Sequence, residues 1–313
     1  MHTIRLSVII PFYNVERYIA QCLASVYDQD IPEEEYEVIC VDDCSPDGSR
    51  IIVEQYADKH ANIKIVTYPK NRKLGGARNA GFDVAQGRYI WFVDSDDFIE
   101  KNVFSGLLSV SEKNNLDILH FGYSVYPDRK EQCQEVDTTD VVSGTSLFFD
   151  SRFQWDRDFI TAWCKIYRRD YLLESHILFA EDVMYEDNDY AIRVFASASR
   201  AMHIKLEPYY YRQNDSSITR VAITAQHIKY WLDLVKRLHA IKTQFVIDNQ
   251  DRRYIALLNR FIRFEVEAVL DGYKKMSGDR RKQIKKDVLH LAQIKYKPYM
   301  SLKRFIKLRL GII

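Results

Sequence analysis

Four short apolar runs rich in β-branched residues recur through the first hundred positions, at residues 5–10, 36–41, 63–67 and 88–93, with helical spacing between them. Strands that alternate with helices build βαβ units and a mostly parallel sheet, because parallel neighbours need a long crossover and a helix supplies it. Tyr18, Ile19, Cys22, Leu23 and Val26 repeat at helical spacing, Ser49 stands where it can cap a second helix, and residues 76–86 read as a third. Right-handed crossovers place such helices on both faces of the sheet. Ligands of these sheets gather beyond the carboxyl ends of the strands. The polar clusters fall there: PFYN (residues 11–14) after the first strand, VDDCSPDGS (41–49) after the second, and DSDD (94–97) after the fourth.

Farther along, residues 116–211 mix strands with a helix near 185–196 and are rich in Trp and Tyr. Beyond Val221 the pattern turns helical, with expected helices at 222–247, 252–276, 279–294 and 301–310. The formal net charge of +1 hides an asymmetry: residues 272–313 hold 13 Lys and Arg against 2 Asp and Glu, so they carry +11 and the rest carries 1 − 11 = −10. With 47% hydrophobic and 28% charged residues, disorder and fibrous folds are excluded. No run approaches the roughly 20 apolar residues of a membrane span, and no signal peptide precedes the first strand, which reads as a cytoplasmic protein. The five cysteines, Cys22, Cys40, Cys44, Cys133 and Cys164, are odd in number and lack a C-x-x-C pair, so they are expected to be buried free thiols. None of the eight histidines shows a repeated ligand spacing.

Three carboxylates within four positions, Asp94, Asp96 and Asp97, repel one another unless a cation lies between them. A hard divalent ion meets that need, since Mg²⁺ uses one or two carboxylates and completes its shell with substrate phosphates. Helix capping by the same acids is the plainer alternative. In VDDCSPDGS a second acidic pair precedes a turn, and one acid there could read a base or ribose. A dehydrogenase is disfavoured by the missing G-x-G-x-x-G after strand one, and an NTPase by the missing Lys-Ser/Thr after the Gly75-Gly76 pair.

Taken together, SVIIPFYN, VDDCSPDGS, GGARNAG (residues 75–81) and GRYIWFVDSDD resemble the inverting glycosyltransferases of family 2, which have the GT-A nucleotide-sugar fold. The likeness is most specific over residues 6–108. It continues through WCKIYRRDYL (163–172), YEDNDYAIRVF (185–195) and YYYRQNDSSIT (209–219), and is lost beyond Val221. It implies a Rossmann-like sheet flanked by helices over residues 1–220, split into a nucleotide-sugar half (1–115) and an acceptor half (116–220). A helical, basic extension at 221–313 follows. It implies transfer of a sugar from a nucleotide diphosphate, expected to be uridine-linked, to an acceptor hydroxyl with inversion, in surface polysaccharide or glycoconjugate assembly.

The same resemblance implies that Pro11 and Tyr13 lie against the base, that Asp43 accepts from its ring N–H, and that Arg78 faces the nucleotide or diphosphate. Asp94 and Ser95 fall in the nucleotide-sugar site, with Asp94 near the ribose or metal. Asp96 is the main ligand of a Mn²⁺ or Mg²⁺ ion, with Asp97 a rival. Asp187 is the general base, with Glu186 and Asp182 as rivals; capping of the helix dipole is the alternative role of these acids. Trp163 and Tyr209–Tyr211 would form a sugar platform or simply pack. Two other functions stand beside this one. A non-catalytic nucleotide-sugar or glycan binder is disfavoured by the intact DSDD and YED segments, and a nucleotidyltransferase by the absence of a basic Gly-rich loop after strand one. The basic tail, residues 296–313, reads as an imperfectly amphipathic helix suited to an anionic membrane and a lipid-linked acceptor, with intramolecular docking as its rival. No nucleic-acid module accompanies the charge.

Overall fold

The apolar runs at residues 6–12, 36–42 and 89–92 are covered on both faces, which is why they read as nearly continuous hydrophobic stretches, while the run at 63–67 is only partly buried. The computed structural model describes residues 4–127, 137–148, 150, 157–213, 224–248, 251–276, 278–289, 291, 294–301, 304, 305 and 307. Chain contacts divide it into two units, Met1–Asn214 and Asp215–Ile313.

The first unit begins β1 (Leu6–Phe12), α1 (Ile19–Tyr27), β2 (Tyr36–Asp42), α2 (Ser49–Ala57), β3 (Ile63–Thr67), α3 (Lys73–Val84) and β4 (Tyr89–Phe92). It continues with β5 (Phe98–Ile99), α4 (Phe104–Lys113), β6 (Ile118–Tyr126), α5 (Gly144–Phe148) and α6 (Arg157–Ile160). Its last elements are β7 (Lys165–Arg168), α7 (Arg169–Glu174), α8 (Glu186–Ser197) and β8 (Ala201–Arg212). All eight strands join one sheet in the order β3-β2-β1-β4-β7-β6-β8-β5. The first four strands in this order pair in parallel, as the alternation predicts, and β7 then runs antiparallel to both β4 and β6. One sheet face packs against Ile19, Cys22, Leu23 and Val26 of α1; the other packs against Ala77 and Phe82 of α3 and Tyr190, Val194 and Phe195 of α8. Each such fully buried aliphatic or aromatic side chain contributes about 1.5–3 kcal/mol.

Ser7 and Glu37, polar residues inside this core, are satisfied. Ser7 Oγ donates to Glu37 Oε1 at 2.6 Å, and the other Glu37 oxygen receives Lys64 Nζ at 2.7 Å. Two expectations change. Ser49 is the first residue of α2 and not its cap: its N–H and hydroxyl both donate to Asp47 Oδ1, at 3.2 and 2.6 Å, so Asp47 does the capping. Cys22, Cys40 and Cys164 are buried free thiols, but Cys44 is exposed because its turn leaves the sheet; Cys133 lies outside the described residues. His120 and His203, unrelated in sequence, meet at 2.8 Å between their Nδ1 atoms across β6 and β8.

The second unit holds α9 (Ala225–Ile247), α10 (Arg252–Lys275), α11 (Gly278–Leu289) and a 3₁₀ segment (Ile294–Tyr299). Thr224 caps α9 by accepting from His227 N, and Asp251 caps α10 by accepting from Arg253 N at 2.8 Å. The expected helix over 279–294 stops at Leu289, and Ile294 opens the 3₁₀ segment, which carries Pro298. Of the expected helix over 301–310, Leu302, Lys303, Ile306, Leu308, Arg309 and Leu310 lie outside the described residues. Arg304 pairs with Glu267 and Asp271 of α10, and Phe305 is buried, so part of the tail packs within its own unit. Among the described residues no helix is long and apolar enough to cross a membrane.

Candidate active site

The polar clusters converge at the carboxyl ends of β1, β2 and β4. Pro11 is a buried strand residue in register with Val41, and Tyr13, just past β1, is half exposed. Asp43 N–H donates to Phe12 O at 3.0 Å, which ties the two loops together. The Asp43 carboxylate is buried and its Oδ1 accepts from Arg72 N at 2.7 Å; burial raises its pKa. Asn14 and Cys44 adopt positive φ, 56° and 67°, where the chain turns sharply away from the sheet.

Asp97 faces the interior. It is 1% exposed, its Oδ1 accepts from Arg212 N at 2.7 Å, and its Oδ2 accepts from the Tyr209 hydroxyl at 2.7 Å. Burial, and then the neighbouring Asp96 and Asp94, push its carboxyl well above the ordinary range. Asp97 is therefore held within the fold, while Asp94 and Asp96 are partly exposed and Ser95 is buried between them. Arg212 was not singled out from the sequence, although its place at the end of a Tyr-rich strand marks it. It donates from Nε to Asp96 O at 2.8 Å and lies over the rings of Tyr18, Phe98 and Tyr126.

The centre of the site is Arg78. Its guanidinium is fully buried, with one terminal nitrogen donating to Glu186 Oε1 at 2.9 Å and Asp187 Oδ1 at 2.5 Å, and the other to Asp94 Oδ1 at 2.8 Å. Two glycines make this placement possible. A Cβ on Gly81 would sit 2.3 Å from Ile9 Cγ2, and one on Gly75 would sit 2.3 Å from Ala180 O, so α3 lies closer to β1 and to the 177–182 segment than any side chain allows. Burial works against the Arg78 charge, but Asp187, Asp94 and Glu186 outweigh it, so the guanidinium stays protonated. The same burial pushes Glu186 up to about 7, with Asp187 adding to the rise, and raises Asp187 against the pull of Arg78.

The rival acids occupy different surroundings. Glu186 is 7% exposed and Asp182 61%, with Asp182 3.9 Å from Lys70 Nζ, whereas Asp187 at 19% combines partial access with a fixed carboxylate. Trp163 stacks on Tyr209 at 4.3 Å and on Tyr211 at 5.9 Å, and Trp163 and Tyr209 are buried, so these two rings serve as packing. The repulsion expected within DSDD is relieved without an ion at two points, by Arg78 at Asp94 and by burial of Asp97. Among the described residues no three His, Cys, Asp or Glu side chains form a ready-made metal site. Two carboxylates beside a diphosphate nevertheless fit the donor set of Mg²⁺ or Mn²⁺, and three acids, Asp94, Glu186 and Asp187, around one arginine leave the site acidic.

Comparison with known proteins identifies the family and the fold. The family model described as Glycosyl transferase family 2 matches residues 7–175. The chain is 32% identical over 224 residues to the "Uncharacterized glycosyltransferase EpsJ" of Bacillus subtilis (strain 168), covering 69% of this chain and 63% of that protein. It is also 32% identical over 216 residues to the "Poly(ribitol-phosphate) beta-N-acetylglucosaminyltransferase TarS" of Staphylococcus aureus (strain MW2), covering 66% of this chain but only 35% of that one. Among solved structures, S. aureus TarS 1–349 in complex with UDP-GlcNAc superposes with a TM-score of 0.69 at 25% identity, over 97% of this chain and 81% of that one.

Proposed function

This chain belongs to glycosyl transferase family 2, and from that premise we propose that it transfers a sugar from a uridine-diphosphate sugar to an acceptor hydroxyl with inversion. The observation that carries the reading is the buried Arg78 cluster, which ties Asp94, on the expected donor side, to Asp187, on the expected acceptor side. In a single displacement the acceptor oxygen forms its bond to the anomeric carbon as the bond to the diphosphate breaks. The hydroxyl proton passes to a base. Asp187 takes that proton; Pro11, Tyr13 and Asp43 hold the base of the nucleotide, and Arg78, Asp94 and Ser95 flank the ribose and diphosphate. Asp96 and Asp94 would hold a divalent ion, whose positive charge would favour departure of the diphosphate. Residues 1–220 form the catalytic domain and 221–313 an appended helical region.

The relatives support a role in surface polysaccharide or glycoconjugate assembly, since TarS is named for glycosylating poly(ribitol-phosphate) and binds UDP-GlcNAc. The test is nucleoside-diphosphate release from a panel of UDP- and GDP-sugars with Mn²⁺. Release is expected from a UDP-sugar, falling about 10²-fold or more in excess chelator or in Asp96→Ala. Undiminished turnover under chelation removes the metal from the mechanism, and release from GDP-sugars alone removes the uridine assignment.

The +11 charge of residues 272–313 is proposed to bring the enzyme to an anionic membrane, each basic residue near the surface contributing on the order of 1 kcal/mol. Full-length protein is expected to pellet with anionic and not neutral vesicles and to lose this on deletion of residues 296–313. Equal behaviour of the two forms leaves the tail a packing role.

A further inference from the structure

Lys165 opens β7 with its side chain fully buried, a costly place for an ammonium group unless partners surround it. Its Nζ donates to the carbonyl of Thr161 and lies 5.7 Å from the centre of the Phe195 ring. That carbonyl belongs to the same peptide unit as Ala162 N–H, and this N–H donates to Asp187 Oδ2 at 3.4 Å. Asp187 Oδ1 receives Arg78 at 2.5 Å. The carboxylate is thus held at both oxygens, at one by a guanidinium and at the other by a peptide whose far end is gripped by an ammonium. A cation on the carbonyl polarises the amide and strengthens its N–H as a donor. Lys165 also acts on Asp187 electrostatically, favouring its charged form, and the phenols of Tyr167 and Tyr190 lie nearby.

We propose that Lys165 is a positioning residue for sugar transfer, acting through the Thr161–Ala162 peptide to hold the Asp187 carboxylate in place for the acceptor hydroxyl. This rests on the reading of Asp187 as the base. It gives a fully buried ammonium at the start of β7 a purpose that packing alone does not.

The experiment measures steady-state diphosphate release from the fastest UDP-sugar of the panel, together with calorimetric UDP affinity, for Lys165→Met, Lys165→Gln, Asp187→Asn and the double variant Lys165→Met/Asp187→Asn. In Lys165→Met kcat is expected to fall about tenfold or more, with donor KM and UDP affinity within about twofold of wild type. Lys165→Gln keeps a donor for the Thr161 carbonyl without the charge and is expected to fall between; it also carries the test if the Met variant does not fold. On the Asp187→Asn background Lys165→Met should add no further loss, because its effect passes through that carboxylate. A full additional loss in the double variant, or a parallel loss of UDP affinity, would reduce Lys165 to a structural role and overturn the proposal. Near wild-type turnover in Asp187→Asn would instead defeat the base assignment itself. A slow Asp187→Asn beside unchanged Lys165 variants would defeat this inference alone.

Discussion

Asp187→Asn is expected to lower sugar transfer by about 10²-fold or more while UDP affinity stays at the wild-type level. The substitution is nearly isosteric: the amide oxygen can still accept from Arg78 or from Ala162 N–H, though not from both, while the charge and the ability to take a proton are lost. Geometry singles this acid out. Asp182 lies at the surface beside Lys70, and Glu186 is more deeply buried on the same Arg78 nitrogen. Burial raises Asp187, which makes it a stronger base than an exposed aspartate, while Arg78 keeps its charged form accessible. The base must be ionised, so wild-type kcat should fall as pH drops through the Asp187 ionisation, and this acid limb should vanish in Asp187→Asn. A folded variant that binds UDP and transfers at nearly full rate would move the base to Glu186 or Asp182.

Arg78→Met is expected to destabilise the protein by about 3–5 kcal/mol at pH 8, because removing one partner of a buried ionic cluster leaves the others uncompensated. Three carboxylates would then share a desolvated space with no guanidinium between them. The cost should shrink on acidification. Without Arg78 the folded-state pKa values of Glu186 and Asp187, already raised by burial, lie above their unfolded values, so the folded state binds more protons, and stability is greatest at low pH and lost as pH rises. Wild type should show a weaker slope of the same sign, to which Glu186 contributes: with a folded value of about 7 against 4.5, its share is lost between about pH 4.5 and 7. Thermal melts at pH 5 and pH 8 measure both effects. Equal melting temperatures for wild type and Arg78→Met at pH 8 would show that the cluster is not a stabilising one.

Much of the fold could be read locally. The parallel run β3-β2-β1-β4 follows from β-branched runs with helical segments between them, and the observed strands depart from the expected ones by no more than two residues at an end. The helix ends were less legible. Ser49 looks like a cap because hydroxyls commonly are, yet Asp47 two residues earlier offers the stronger acceptor, and the choice depends on how the turn from Asp43 closes. The extent of α11 was overestimated because a basic run with scattered aliphatics keeps helical spacing past the point where packing ends it.

In the site, the types and positions of the chemical groups were in the sequence: acids after strands, GGARNAG on α3, and YED at the start of α8. Their pairing was not. Arg78 joins residues 16, 108 and 109 positions away, Asp97 is held by Tyr209 and Arg212 from more than 110 away, and Lys165 reaches Asp187 through a peptide bond that no motif encodes. Period and turn chemistry are local properties, fixed by φ/ψ preferences and side-chain spacing over a few residues. Which of four neighbouring acids is neutralised, which is desolvated and which stays open to solvent depends on charges that only the path of the chain brings together. The sequence alone therefore determined the sheet, the loops that bear the chemistry and the family, while tertiary structure decided that Asp97 is internal, that Arg78 lies among three carboxylates, and that Asp187 is held at both oxygens.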